Sequence, residues 1–108
     1  MQSFEQLLDR GLAVMCVEVR SAKPDQFAYV SKKSGQKVNV VLVRLALEVQ
    51  TGDSIEQVQG TVPDTQTIPS WAVKGANVYI GCSELKREQG RLSVRVVDAV
   101  PVKSIKDK

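Results

Sequence analysis

Apolar residues recur along this chain with two periods, and the shorter one dominates. Near the end, Leu92, Val94 and Val96 alternate with Ser93, Arg95 and Val97, the spacing of a half-buried strand. From Lys37 to Glu48 both parities are apolar: Val41, Val43, Leu45 and Leu47 make one face, and Val38, Val40, Leu42 and Arg44 the other. Two apolar faces in one strand suit a sheet curled into a small barrel. Leu12 to Arg20 is dense in Val, Met and Cys, with Glu18 and Arg20 only near its end, and predicts a long strand leaving a buried region. Phe27-Ala28-Tyr29-Val30 and Asn77–Ser83 predict further extended pieces. Helical spacing is confined to the start. Ser3-Phe4-Glu5-Gln6 has the form of a capping box, Phe4, Leu7 and Leu8 share a helical face, and Gly11 ends the pattern, which predicts a short helix over 3–10.

Between these runs the turn residues divide the chain. Lys23-Pro24-Asp25 reads as a bend, Ser34-Gly35 and Gly90 as turns, and Pro101 as the end of the last strand, followed by a loose tail over 103–108. Val49 to Gln66 is polar, with Gly52, Gly60 and Pro63, so 48–76 reads as a long excursion with one weakly extended piece at Ile55–Val58. Ile68 to Val73 suits either a single helical turn or a strand that starts after Pro69. There is no repeat and no low-complexity segment. The expectation is one domain over 1–108: an all-β fold, a small five-stranded Greek-key barrel that is OB-like, with a short N-terminal helix. An SH3-like barrel is the competing architecture.

Composition changes the picture mainly through where the charge lies. The chain has 108 residues, 43% of them hydrophobic, enough for one small core. Net charge is +3, a mild excess, but it is patchy. Lys32, Lys33, Lys37 and Arg44 fall within 31–45, which has no acid, whereas Glu48, Asp53, Glu56 and Asp64 fall within 48–64, which has no cation. No apolar run approaches the ~18 residues of a membrane-crossing helix, and the start lacks the basic-then-apolar pattern of a secretion signal. A cytoplasmic protein is expected, with Cys16 and Cys82 free and buried in their apolar runs.

The same inventory gives catalysis little to work with. The chain has no histidine, its two cysteines are isolated, and its acids form no recurring pair. Its glycines match neither a phosphate-binding loop nor a dinucleotide fingerprint, so no enzyme, metal site or cofactor is expected. Two basic turns stand out instead: Lys32, Lys33 and Lys37 around Ser34-Gly35, and Lys86, Arg87 and Arg91 around Gly90. Each lies between strand-like runs, as in a protein that holds a phosphate backbone, although a solvated turn kept soluble by charge has the same composition. Arg44 and Arg95 lie inside strands, where an arginine either meets a phosphate or base or guards a sheet edge. Of five aromatics, Phe27 and Tyr29 are two apart and share a face, as a base-stacking pair or a core pair. Tyr79 points away from the face of Val78 and Ile80, toward a possible ligand groove, and Trp71 reads as a core or interface anchor.

Several segments together resemble single-stranded-DNA-binding proteins of the OB-fold type, most closely the small helix-destabilising proteins of filamentous phages, the gene V type. They are Val17-Glu18-Val19-Arg20, the Ser34-Gly35-Gln36-Lys37 turn entering a strand, Val78-Tyr79-Ile80 leading to a second basic turn, and the ending from Gly90-Arg91-Leu92 to Val100-Pro101-Val102-Lys103. The resemblance spans roughly 14–103. It implies a protein that coats phage or plasmid single strands during replication, without sequence preference, cooperatively and as a homodimer or higher homo-oligomer. Phosphates would be met by Lys32, Lys33, Lys37, Arg44, Lys86, Arg87, Arg91 and Arg95, and bases by Phe27, Tyr29 and Tyr79. The family carries aromatics on its DNA-binding loop, whereas the residue after Gly35-Gln36-Lys37 here is Val38. The leading helix and the 48–76 excursion are further departures, suited to dimerisation or to an accessory task such as support for integration. The alternative is a protein-interaction barrel that docks a partner on a sheet edge or on the acidic 48–64 segment.

Overall fold

A computed structural model describes residues 4–102 of the chain. The expected N-cap Ser3 and the tail over 103–108 lie outside the described residues. One helix, α1 (Phe4–Asp9), precedes five strands: β1 (Ala13–Val30), β2 (Lys37–Thr51), β3 (Ser54–Pro63), β4 (Asn77–Glu88) and β5 (Arg91–Pro101). Each strand turns one parity of apolar side chains inward: Val17 and Val19, then Val43, Leu45 and Leu47, then Val58, then Val78, Ile80 and Cys82, then Val94 and Val96. No sheet face exists outside this set to cover them, so the strands cover one another by closing. Their order is β1-β2-β3-β5-β4 and back to β1, with every pair antiparallel except β3 and β5. The result is a closed five-stranded barrel of OB-like form, as the pattern predicts. No buried polar or charged side chain interrupts its core among the described residues.

The barrel closes because β1 serves two neighbours. Ala13–Glu18 pairs with β4, and Glu18–Val30 pairs with β2. The register slips between Val19 and Ser21, leaving Arg20 unpaired, a bulge that bends the strand from one partner to the next. The β3–β4 connection repairs the backbone there: Val19 N–H donates to the Ala76 carbonyl at 2.9 Å, and Gly75 N–H donates to the Val19 carbonyl at 2.7 Å. Beyond the bulge β1 runs straight through Lys23-Pro24-Asp25, so the expected bend is absent. Pro24 stands opposite Val43 at a place where β1 has no second strand beside it. A residue without an N–H is tolerated on such an edge.

The 48–76 segment also differs from its expected form. Its first residues complete β2, Gly52-Asp53 turns the chain, and β3 pairs with β2 from Ser54 opposite Thr51 to Pro63 opposite Leu42. The strand was obscured because its outward residues are Gln57, Gln59 and Thr61, and one of its inward residues is Gly60. A side chain at Gly60 would collide: its Cβ would lie 3.0 Å from Leu47 Cδ1 and 3.4 Å from Leu45 Cβ. Only 64–76 remains as a connection. In it Ala72 N–H donates to the Pro69 carbonyl at 3.0 Å, closing a single turn. Ala72 is buried in the core, and Trp71 packs against it.

The helix ends at Gly11, whose φ of +77° lets Leu12 N–H reach back to the Leu7 carbonyl. Leu7 and Leu12 then lie over Gly81 of β4, where an added Cβ would come within 2.9 Å of Leu12 Cδ1. Leu7 is fully buried, but Leu8 points outward and is 47% exposed, so the expected helical face is narrower than the sequence suggests. Cys16 likewise departs from expectation. It lies on the outward parity of β1 and is exposed, whereas Cys82 faces the core; both are free. No helix among the described residues is long and apolar enough to cross a membrane.

Two outcomes follow from this packing. Gly60→Val overfills the barrel between Leu45 and Leu47 and is expected to cost roughly 1–3 kcal/mol in chemical denaturation, with a lower Tm. Burial pushes the Cys82 thiol from its ordinary 9.0 up to about 11. The folded state therefore holds that proton where the unfolded chain releases it, and stability contributed by the buried thiol declines as pH rises from about 9 towards 11. At pH 8 a thiol reagent should modify Cys16 alone in the native protein and both cysteines after unfolding, and Cys16→Ser should leave no fast-reacting thiol.

Candidate nucleic-acid interface

The β1–β2 hairpin is longer than the barrel it helps to build. β3 accompanies β2 only as far as Leu42, so 26–30 and 37–41 form a two-stranded arm of about 17 Å, at ~3.4 Å per residue, before its tip. The arm stretches the molecule to 58 × 32 × 26 Å and its radius of gyration to 15.4 Å, above the ~13 Å of a compact chain this long. At the tip, Gly35 N–H donates to the Ser31 carbonyl and Ser31 N–H to the Gln36 carbonyl. Ser31 Oγ accepts the N–H groups of Lys33 and Ser34, which fixes the loop from which Lys32 and Lys33 extend into solvent.

Cross-strand register shows what shares the arm's faces. Phe27 stands opposite Val40 and Tyr29 opposite Val38, and this face runs on to Asp25, Arg44 and Lys23. Phe27 and Tyr29 are 48% and 51% exposed, with ring centroids 6.5 Å apart. They are not a core pair. Lys37, opposite Val30, lies on the other face.

Where that face enters the barrel it becomes the wall of an open groove of about 810 Å³. The groove crosses β1, β2, β3 and β5 and ends at the β4–β5 hairpin. One row runs across all five strands: Lys23, Arg44, Thr61, Arg95 and Glu84. Arg44 and Arg95 are separated by one strand, so their backbones stand about 10 Å apart across a floor of Thr61, Gln59 and Ser93. Lys86, opposite Ser93, projects from the far hairpin on the same face. That hairpin turns at Gln89 and Gly90, whose φ values of 51° and 79° suit a two-residue turn matched to strand twist. Arg91 stands beside this turn, opposite Glu88.

The groove is not uniformly basic. Asp25, Glu48, Glu84 and Glu88 line it together with Lys23, Arg44, Lys86 and Arg95, four acids against four cations. Its positive excess lies at the margins, on Lys32 and Lys33 of the arm tip and on Arg91. Two of the expected cations have internal partners. Arg44 Nε donates to Asp25 Oδ2, and Arg87 Nη1 lies 2.8 Å from Glu56 Oε2. The Arg44 guanidinium, followed by the Gln26 N–H, holds the Asp25 carboxyl below its usual value. Arg87 sits opposite Leu92, on the parity that faces away from the groove, so of the second basic turn only Lys86 and Arg91 share the groove face. Tyr79 points outward as expected, but it stands between Cys16 and Val100, about 16 Å of strand from Glu84, and does not line the groove.

Phe27, Tyr29, Arg44, Lys86, Arg91 and Arg95 thus share one continuous face with the arm tip at its end. Lys37, Arg87 and Tyr79 fall elsewhere. Sequence reasoning passed over Lys23 and the polar floor of Gln57, Gln59 and Thr61. The available signal was Thr51-Gly52-Asp53-Ser54, a two-residue hairpin turn, followed by the inward series Val58, Gly60 and Val62. Among the described residues no group of His, Cys, Asp or Glu could hold a metal ion.

Comparison of the chain with protein-family models, with curated proteins and with solved structures gives no match.

Proposed function

We propose that this protein binds single-stranded DNA without sequence preference, in the manner of the gene V type proteins. In this role it coats single strands during replication of a phage or plasmid-like element. The observation that carries the reading is one outward face shared by two hairpins: the arm, with Phe27, Tyr29 and the Lys32-Lys33 tip, continues from one wall of the groove, and Lys86 and Arg91 stand on the hairpin at its other side. Arg44 and Arg95 face each other across the polar floor between them. OB-folds take oligonucleotides on the face of strands 2 and 3 and on the loops joining strands 1–2 and 4–5; here Arg44 lies on β2, Lys32 and Lys33 in the first of these loops, and Lys86 and Arg91 flank the second. Exposed rings beside exposed cations supply both things a single strand offers, a π-face and a phosphate, and neither contact reads sequence. Side-by-side homodimers on the strand belong to the same reading. A partner-docking barrel is the second reading, favoured by the exposure of Phe27, Tyr29 and Val30 on the arm.

The deciding measurement is binding of fluorescent oligo-dT and of a matched duplex at two salt concentrations. The proposal expects salt-sensitive binding to the single strand and weak binding to the duplex. Absence of binding to both at low salt would leave the partner-docking reading. Lys32→Ala with Lys33→Ala is expected to weaken binding alike for all sequences and to flatten the log–log salt slope by about 1.4, at ~0.7 per lost phosphate contact. Tyr29→Ala is expected to cost about 1–3 kcal/mol of affinity with the slope unchanged. Because the ring is half-exposed, Tm should hold.

A further inference from the structure

The groove contains its own anion. Asp25 lies two residues from Lys23 on the groove face of β1, and its Oδ2 takes the Nε–H of Arg44, the cation of the β2 wall. The carboxylate is fixed there from its own side. Asp25 Oδ1 accepts the Gln26 N–H at 2.8 Å, and Gln66 Nε2 of the β3–β4 connection donates to the Asp25 carbonyl and to Gln26 Oε1. Both side chains of the ion pair remain largely open to solvent, 57% for Arg44 and 42% for Asp25, so a ligand can reach them. Of the other groove acids, Glu48 lies 3.9 Å from Arg20, which is not a groove cation. Glu84, opposite Arg95, forms no ion pair among the described residues.

On the single-strand reading above, we infer that Asp25 is an internal stand-in for phosphate. Its carboxylate holds Arg44 in the free protein, and a backbone phosphate of the nucleic acid has to replace it there. Binding at this point is an exchange of one anion for another, so Asp25 lowers affinity and makes the site release its strand more readily. An exposed ion pair is weak, which keeps the exchange reversible and its effect modest.

The test is a double-mutant cycle read by oligo-dT affinity at fixed salt, with NMR of the free protein beside it. Asp25→Asn should tighten binding about three- to fivefold more than Glu84→Gln, which removes a negative charge from the same groove without freeing an arginine. In an Arg44→Gln background the extra gain should disappear, leaving the two acid variants equal. In the free protein the Asp25 carboxyl should titrate below the usual range and return towards it in Arg44→Gln. Equal gains from Asp25→Asn and Glu84→Gln in the wild-type background, or a gain from Asp25→Asn that survives Arg44→Gln, would overturn the exchange while leaving single-strand binding intact. An Asp25 titration unmoved by Arg44→Gln would do the same. Failure of both the wild type and Asp25→Asn to bind oligo-dT would take down the function and the exchange together, even with the ion pair visible in the titration.

Discussion

Everything in this molecule depends on one strand having two partners. β1 gives its first six residues to β4 and the rest to β2, and the bulge at Arg20 is the hinge between the two roles. Without that bend the sheet would stay open, and the inward rows of Val, Leu and Ile would lack the opposite wall that keeps them dry. The bulge is stabilised locally, by hydrogen bonds between Val19 and the Gly75-Ala76 backbone, and by Arg20 itself, whose guanidinium lies 2.8 Å from Glu18 and 3.9 Å from Glu48. Those surface pairs add little energy, and their main effect is to give the unpaired residue a defined outward position.

The same strand also makes the candidate interface. Because β1 continues twelve residues past its last pairing with β4, the β1–β2 ribbon outruns the barrel and becomes an arm. Period-two alternation then carries one side of the arm, with its two rings, into the barrel wall where Arg44 stands. Barrel closure and the candidate surface are thus two consequences of one extended segment. The parallel pairing of β3 with β5 completes the arrangement: it sets Thr61 between Arg44 and Arg95 and brings the β4–β5 hairpin to the far side of the groove.

Charge in the groove is balanced rather than one-signed, and this bears on how such a site works. Acids placed among cations reduce the long-range field, and at Arg44 the acid makes direct contact. On the proposed single-strand role, affinity is assembled out of many partly compensated contacts, and each can be exchanged singly.

The short-range part of this was legible in the sequence. Alternation gave four of the five strands, Gly11 marked the end of the helix, and the cations around Ser34-Gly35 and Gly90 marked both hairpin tips, because turn chemistry and period-two patterning are properties of neighbouring residues. Tertiary structure alone decided the remainder. β3 was hidden because its inward positions include Gly60, whose role is to make room for Leu45 and Leu47, a fact that exists only once β2 lies alongside. Pro24 reads locally as a bend but sits in a strand, because the edge it occupies has no neighbour needing its N–H. Cys16 and Cys82 look alike in their apolar runs, and only closure of the barrel turns one outward and the other inward. The same holds for the cations. Sequence lists them, but which of them share a face, which pair with Asp25 or Glu56, and that Tyr79 belongs to another side depend on strand register, set by packing between residues far apart in the chain.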